Sequence, residues 1–338
     1  MRSEKINRVL VVIPNLNGGD ELLDAIKSLT LQTLKPNILV VDNSSSDGSA
    51  DRAKKHFPEI ELIRNNTNLG YTGGVNPGFV QAINTNIDYV ASFNNDAVAD
   101  PLWLKELAKC LDENLDAAIA ACKVLNGDGS RLDSAGEFYT TWGLSYPRGR
   151  GEPDTGQYDT ETDLFAASGA ASLYRVAALK EIGIFDQDFF AYYEDVDLSF
   201  RAQLAGWKVR YAPKARLYHH TGSTSSKIPG FTTYQTMKNE PILLFKNVPR
   251  KYLFHITSRL LLAHTLFLIK AFTRGHGWIA LKGDLKGTGL LFKKAGERRK
   301  IQKHKKVTDE YIWGMLVHDL PPNANALRSL RRKLHIGK

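Results

Sequence analysis

The sequence predicts an α/β fold with a mostly parallel central sheet, followed by a helical, basic C-terminal extension. Three observations carry that expectation. Between Arg8 and about Lys123, short β-branched runs alternate with stretches whose apolar residues recur at helical spacing. Glycine and proline punctuate the runs rather than interrupt them. Beyond Pro249 the composition changes, and much of the formal net charge of +9 collects after Leu291. The boundary is expected at 245/246, with residues 1–245 as the α/β domain and 246–338 as the extension.

The expected strands are Val9 to Ile13, Ile38 to Val41, Ile60 to Ile63, Tyr89 to Phe93 and Ala117 to Cys122. Helical spacing covers Glu21 to Leu31, Ser49 to His56 and Trp103 to Leu111. Such a doubly wound sheet binds ligands outside the carboxyl ends of its strands, so the residues just after each run are the ones to read. Tyr146 to Asp163, rich in Gly, Pro and charge, reads as an exposed loop. A helix ends near Ala205 at Gly206, and a short strand, Lys208 to Tyr211, leads to paired histidines. Tyr252 to Phe272 is apolar but interrupted by His255, Arg259, His264 and Lys270, which favours a helix lying on a membrane or packed on the domain.

A chain of 338 residues with 43% hydrophobic residues can bury a sizeable core. The apolar run Val9 to Ile13 is too short for a signal-peptide core, so a cytoplasmic location is expected. Cys110 and Cys122 have no metal-ligand spacing and read as buried thiols. The basic tail includes Lys293, Lys294, Arg298, Arg299, Lys300, Arg328, Arg331 and Lys333. It suits an anionic surface, where each such side chain contributes roughly 1 kcal/mol beside lipid headgroups; a solvated helix face is the plainer alternative.

Acidic residues follow two strands, in Asp42-Asn43-Ser44 and Asn94-Asn95-Asp96. An aspartate at this edge can accept bonds from a ribose or base, hold a hard cation, or merely cap the next helix. The loop Asn68-Leu69-Gly70-Tyr71-Thr72-Gly73-Gly74 can let backbone approach a ligand or serve only as a turn. Tyr192-Tyr193-Glu194-Asp195-Val196-Asp197 places three carboxylates within four positions at a helix start. A helix dipole explains part of that, but like charges beside aromatic rings are also the setting of a carboxylate base. Tyr218-His219-His220 puts two imidazoles directly after a strand, where metal binding competes with a structural role.

In this order, Val12-Ile13-Pro14-Asn15-Leu16-Asn17-Gly18, Val41-Asp42-Asn43-Ser44, Asn68-Leu69-Gly70, Asn94-Asn95-Asp96 and Glu194-Asp195-Val196-Asp197-Leu198 resemble the family 2 inverting glycosyltransferases. The likeness is greatest to the bacterial rhamnosyltransferase-like and galactofuranosyltransferase-like branch, and it covers about Arg8 to Ser226. It implies a GT-A type fold that places Pro14, Asn15, Asn17, Asp42, Asn43, Asn68, Gly70, Asn95 and Asp96 around a nucleotide-sugar. Asp42 would hold the base. Asp96 and His219 would hold Mg2+ or Mn2+ with the donor diphosphate, with His220 one position away as the alternative. Asn94 stands where the family carries the first aspartate of its Asp-x-Asp motif. Asp195, beside Glu194, would be the catalytic base.

The Gln-x-x-Arg-Trp segment and multiple spanning helices of processive members are missing, so nonprocessive transfer is implied. The implied donor is of the dTDP-rhamnose or UDP-hexose type. The implied acceptor is a glycan or lipid-linked hydroxyl in cell-surface polysaccharide synthesis, reached from the inner face of the membrane; nucleic acid is not an expected partner. Two other readings compete. A sugar-phosphate nucleotidyltransferase should carry an Arg/Lys-containing glycine loop after the first strand, where this chain has Asn15-Leu16-Asn17-Gly18-Gly19-Asp20. A noncatalytic basic membrane-binding protein accounts for the tail but not for the ordered carboxylates.

Overall fold

The first strand, β1 (Val9–Asn15), is buried along its whole length, and its side chains alternate between two cores. Val9, Val11 and Ile13 pack with Leu22, Ile26, Trp103 and Leu107 on one face; Leu10 and Val12 pack with Val75, Phe79, Leu198 and Tyr211 on the other. A strand buried on both faces reads as a continuous apolar run, as in parallel sheets covered by helices. The computed structural model describes residues 8–220, 228–322, 324 and 327–329.

In chain order there follow α1 (Glu21–Thr30), β2 (Asn37–Asp42), α2 (Ser49–His56), β3 (Glu61–Arg64), α3 (Gly70–Ile83), β4 (Tyr89–Phe93), β5 (Ala97–Ala99), α4 (Trp103–Glu113) and β6 (Ala117–Asn126). Short strands come next: β7 (Leu132–Ser134), β8 (Glu137–Tyr139), β9 (Ser145–Pro147), β10 (Thr162–Leu164) and β11 (Ala171–Arg175). The chain continues through α5 (Val176–Ile182), α6 (Glu194–Leu204), β12 (Lys208–His219), α7 (Phe231–Asn247), α8 (Arg250–Thr273), α9 (Gly277–Lys303) and α10 (Asp309–Met315).

The main sheet has the order β10-β12-β6-β11-β4-β1-β2-β3. The pairs β1/β2, β2/β3, β1/β4 and β6/β12 are parallel, while β11 runs antiparallel between β4 and β6. Since β2 and β4 flank β1 on opposite sides, the strand order reverses there, and the crevice at such a reversal is where doubly wound sheets bind ligands. All the expected strands and helices of the first half are present. Cys110 and Cys122 are buried and unpaired, as expected.

Two expectations change. The strand beginning at Lys208 does not stop at Tyr211 but continues to His219, with an irregularity between Ala212 and Arg216 where Pro213 interrupts the ladder with β6. The region Tyr146 to Asp163 is not simply an exposed loop. It contains parts of β9 and β10, and its Asp154 and Asp159 hold the fully buried Lys123 ammonium.

A third core ties the C-terminal helices to the sheet domain, joining Tyr139, Phe165, Phe189 and Phe200 to Ile242, Leu243, Ile256, Leu260 and Ile312. The expected boundary at 245/246 falls inside α7, so the extension shares this core rather than forming its own. Helix α7 lies close against α9: a Cβ at Gly287 would stand 2.2 Å from the Lys238 carbonyl oxygen, an approach only glycine permits. The basic tail is also less free than its composition suggests. Lys294 is buried among Asp186, Asp188 and Glu297, and Arg298 caps the Val248 carbonyl at 2.9 Å. Arg331, Arg332 and Lys333 lie outside the described residues.

Candidate active site

A cleft of about 610 Å³ opens at the carboxyl ends of β1, β2 and β4. Pro14, Asn15, Asn43, Asn68, Gly70, Asn95, Asp96, Glu194, Asp195 and His219, all singled out in the sequence, line it. Asn17 and Asp42 do not. The β1/β2 register sets Asn15 opposite Asp42, and Asn15 Nδ2 donates to Asp42 Oδ1 at 2.9 Å. Asp42 also accepts the Ser45 amide at 3.2 Å and is only 2% exposed, so it stands behind the lining and caps no helix. Asn17 braces the same loop, its Oδ1 accepting the Ser46 amide at 2.8 Å.

The asparagines form one connected layer. Asn95 Nδ2 donates to Asn15 Oδ1 at 3.1 Å, Asn43 Nδ2 to the Gly70 carbonyl at 2.9 Å, and Asn65 Nδ2 to Asn43 Oδ1 at 2.8 Å. The glycine-rich loop is therefore part of the cleft and not only a turn. Gly70 has φ +71°, and a Cβ there would lie 2.4 Å from the Phe190 carbonyl oxygen, so no other residue fits between the two walls.

On the sheet side, His219 Nε2 lies 3.2 Å from Asp96 Oδ1 and 3.0 Å from Asn94 Nδ2. Its Nδ1 lies 3.0 Å from Asp133 Oδ2 on β7, and Arg150 pairs with Asp133 in turn. Burial alone would lower the His219 pKa, but the bonds to Asp133 and Asp96 raise it to about 9. His220 points elsewhere: its ring packs over Gly127 and is exposed, while its amide bonds the Asp96 carbonyl. Of the two histidines, it is His219 that lines the cleft beside Asp96. A carboxylate, a histidine and a second carboxylate orienting that histidine make a donor set suited to a divalent cation. A separate cluster of Asp186, Asp188 and Glu297 has metal-like spacing, but the Lys294 ammonium already sits within 2.8 Å of all three.

Across the cleft, the first turn of α6 separates its three carboxylates. Asp197 is fully buried and structural: it pairs with Arg201 and Lys246 and accepts from Asn247, which together hold its pKa low against the opposing effect of burial. Asp195 lines the cleft and accepts the Gly169 and Val196 amides at 2.7 and 2.8 Å. Burial raises its pKa, and the amide bonds act the other way. Glu194 is buried, with Oε2 finding no partner among the described residues. Burial, then the neighbouring Asp195 charge, lifts its pKa well above the carboxylate range.

The segment before α6 is strained. Phe190, Tyr192 and Tyr193 have φ of 63°, 67° and 70°, each a conformation costing of order 1 to 3 kcal/mol for a side-chain-bearing residue. Three consecutive residues of α7 hold it. Lys238 Nζ bonds the Asp188 and Phe189 carbonyls at 3.0 Å, and Asn239 Nδ2 shares its hydrogens among the Phe189, Ala191 and Tyr192 carbonyls at 3.0, 2.9 and 2.7 Å. Glu240 accepts the Tyr193 hydroxyl at 2.8 Å and lies 2.9 Å from His264, which reaches Asp284 at 2.8 Å. Sequence reasoning missed Asp133 and this Lys238-Asn239-Glu240 clamp. The one available signal was a run of three polar residues, Lys238-Asn239-Glu240, just before the apolar turn Ile242-Leu243-Leu244 of α7.

His264 provides a test of the clamp. Burial would lower its pKa, but Asp284 and Glu240 raise it to about 9 from an ordinary 6.5. A folded pKa above the unfolded one stabilises fully below pH 6.5 and loses that stabilisation as pH rises through 9, at most about 3 kcal/mol. His219 acts with the same sign in metal-free protein. The unfolding temperature is therefore expected to fall between pH 6.5 and 9, and His264→Gln to flatten part of that fall. An unchanged slope in the variant would refute the charged His264.

The model of glycosyl transferase family 2 matches residues 10–183, half of the chain. The protein is a family 2 glycosyltransferase. It is 29% identical over 245 residues to the N-acetylglucosaminyl-diphospho-decaprenol L-rhamnosyltransferase of Mycobacterium tuberculosis, covering 65% of this chain and 78% of that protein, which places this glycosyltransferase in the rhamnosyltransferase-like branch. Its fold is similar to that of S. aureus TarS 1-349 (TM-score 0.53, 17% identity, 90% of this chain and 91% of that one). It is equally similar to the mannosyltransferase PcManGT from Pyrobaculum calidifontis in complex with GDP-Man and Mn2+ (TM-score 0.53, 14% identity, 98% and 89%). These likenesses, with the sheet and helices described above, make the fold GT-A-like.

Proposed function

We propose that this glycosyltransferase inverts the configuration of a sugar that it moves, with a divalent cation, from a nucleotide-sugar to a hydroxyl of a glycan or lipid-linked acceptor. The carrying observation is that Asp96, His219 and Asp195, far apart in the chain, line one cleft together with Asn15, Asn43 and Asn68. Asn15, Asn43, Asn68, Gly70 and Asn95 form the donor wall, and Asp42 and Asn17 hold that wall in place. Asp96 and His219 would ligate Mg2+ or Mn2+. Bound there, the cation supplies positive charge against the negative charge that grows on the leaving diphosphate. Asp195 takes the acceptor proton as the hydroxyl attacks the anomeric carbon from the opposite face. Burial and the neighbouring charge raise the Glu194 pKa, which favours leaving the negative charge on Asp195.

The rhamnosyltransferase relative, named for a lipid-diphosphate-linked acceptor, supports a lipid-linked acceptor and a dTDP-rhamnose type donor, with a UDP-hexose as the alternative donor. The neighbour in complex with GDP-Man and Mn2+ supports the cation. Such an acceptor in cell-surface polysaccharide synthesis suits a peripheral position at the cytoplasmic face of a membrane. A thermal-shift series with nucleotide-sugars, each with and without Mn2+, tests the donor and the cation. A ligand present at 100 times its Kd is expected to stabilise the fold by about 2.7 kcal/mol. His219→Ala should remove the Mn2+-dependent part of the shift and spare the rest. A donor shift indifferent to Mn2+ overturns the cation, and no shift with any nucleotide-sugar overturns the donor reading.

A further inference from the structure

Helices α8 and α9 leave an apolar row on their outer surfaces that no other described residue covers. On α8, Phe254, Leu261 and Phe272 are 86%, 63% and 50% exposed; on α9, Trp278, Leu285 and Phe292 are 70%, 64% and 88% exposed. Steps of seven and eleven residues bring each set to one face of its helix. The His264–Asp284 bond fixes the helices side by side and antiparallel. The Phe272 and Trp278 rings, 5.8 Å apart, join the two rows at the turn. Apolar rows of this length on a surface mark an interaction site.

Charge identifies the occupant. Lys282, Lys286 and Lys300 are exposed at steps that set them beside the α9 row. Helix α8 has no acidic residue, and the two on α9 are engaged, Asp284 by His264 and Glu297 by Lys294. Aromatic and aliphatic side chains edged with lysine match the boundary of an anionic bilayer, whereas a second copy of the same basic face would repel this one.

We infer that the outer face of α8 and α9 docks in the plane of an anionic lipid leaflet. Helix α8 is long and apolar enough to cross a bilayer, with a mean hydropathy of 1.4. Its other face, however, is engaged: Arg259 donates to Thr141 Oγ1 at 2.8 Å, and His264 bridges Glu240 and Asp284. Crossing would tear these contacts apart and carry Arg259, His264 and Lys270 into hydrocarbon, so the helix lies in the interface. Lys294 and Arg298, on the opposite side of α9, turn inward and take no part in this face. Helix α9 packs on α7, whose Phe231, Thr232 and Thr236 line the cleft. The leaflet therefore stands one helix layer from the site, which, granted a lipid-linked acceptor, is where that acceptor arrives.

Flotation of the full chain with neutral vesicles and with vesicles containing an anionic phospholipid tests this. The wild type should float with anionic vesicles, lose them as salt rises, and be extracted at alkaline pH. Phe254→Ser/Trp278→Ser/Phe292→Ser should lower binding at least roughly tenfold. Lys282→Gln/Lys286→Gln/Lys300→Gln should lower the preference for anionic lipid by roughly fivefold per lysine. Both variants should keep the wild-type unfolding temperature and donor-induced thermal shift. Wild-type flotation by the serine variant, equal recovery on neutral vesicles, resistance to alkaline extraction, or a wild-type dimer that the serine variant splits would each overturn the inference. Flotation reads no chemistry, so its failure leaves the transferase reading standing, and a missing donor shift leaves the docking face standing.

Discussion

Asp195→Asn is expected to lower turnover roughly 10² to 10⁴-fold, about 3 to 5 kcal/mol of barrier, while the nucleotide-sugar thermal shift persists. The amide keeps the size of the carboxylate and can still accept the Gly169 amide that now holds Oδ2 at 2.7 Å. What it loses is the ability to take a proton. Glu194→Gln should act differently. Burial and the Asp195 charge raise the Glu194 pKa, so a neutral amide is a smaller change there than at Asp195 and should cost much less. The pH profile adds a check. Because burial raises the Asp195 pKa, turnover should rise with pH along a limb centred above the usual carboxylate range, and removing the base should abolish that limb. An Asp195→Asn enzyme within about threefold of wild type removes Asp195 from the role of base.

The residues legible in the sequence are those whose position follows from strand ends. Asn43, Asn95 and Asp96 follow β-branched runs, and a parallel sheet delivers strand ends to one edge whatever lies between them. Glu194 and Asp195 were legible because three clustered carboxylates are costly unless used. Asp42 shows the limit. It too follows a strand, but the β1/β2 register points it at Asn15, and register is a property of two strands that one strand's sequence does not contain. Asp133 was hidden for a related reason: it lies on a three-residue strand with no periodicity, and reaches His219 only because β7 pairs with β6 beside β12. Lys294 and Arg298 misled because composition counts charges without their partners. Their partners, Asp186 and the end of α7, lie about a hundred and about fifty residues earlier in the chain.

The largest effect outside the cleft lining is expected at Asn239. Its amide is the only group in the described structure that bonds three carbonyls of the strained segment at once, at Phe189, Ala191 and Tyr192, and that segment delivers Tyr193, Glu194 and Asp195 to the cleft. Asn239→Ala removes the side-chain donor from the half-buried Ala191 and Tyr192 carbonyls, while the Phe189 carbonyl keeps Lys238 and the Ala191 amide, and is expected to destabilise the fold by about 2 kcal/mol, at roughly 1 kcal/mol for each lost bond. Relaxation of the positive φ angles then moves Asp195 from its place opposite Asp96, and displacement of a base by about 1 Å costs on the order of a hundredfold in rate. Turnover should therefore fall roughly 10 to 100-fold at a temperature where the variant is still folded, with little change in the donor-induced shift, since Asn15, Asn43 and Asn95 are untouched. Asn239→Asp separates positioning from packing: it keeps the shape, removes the donors, and turns a carboxylate toward three carbonyl oxygens, so it should be at least as impaired as the alanine variant. Full turnover in the folded aspartate variant would show that the clamp does not position the base.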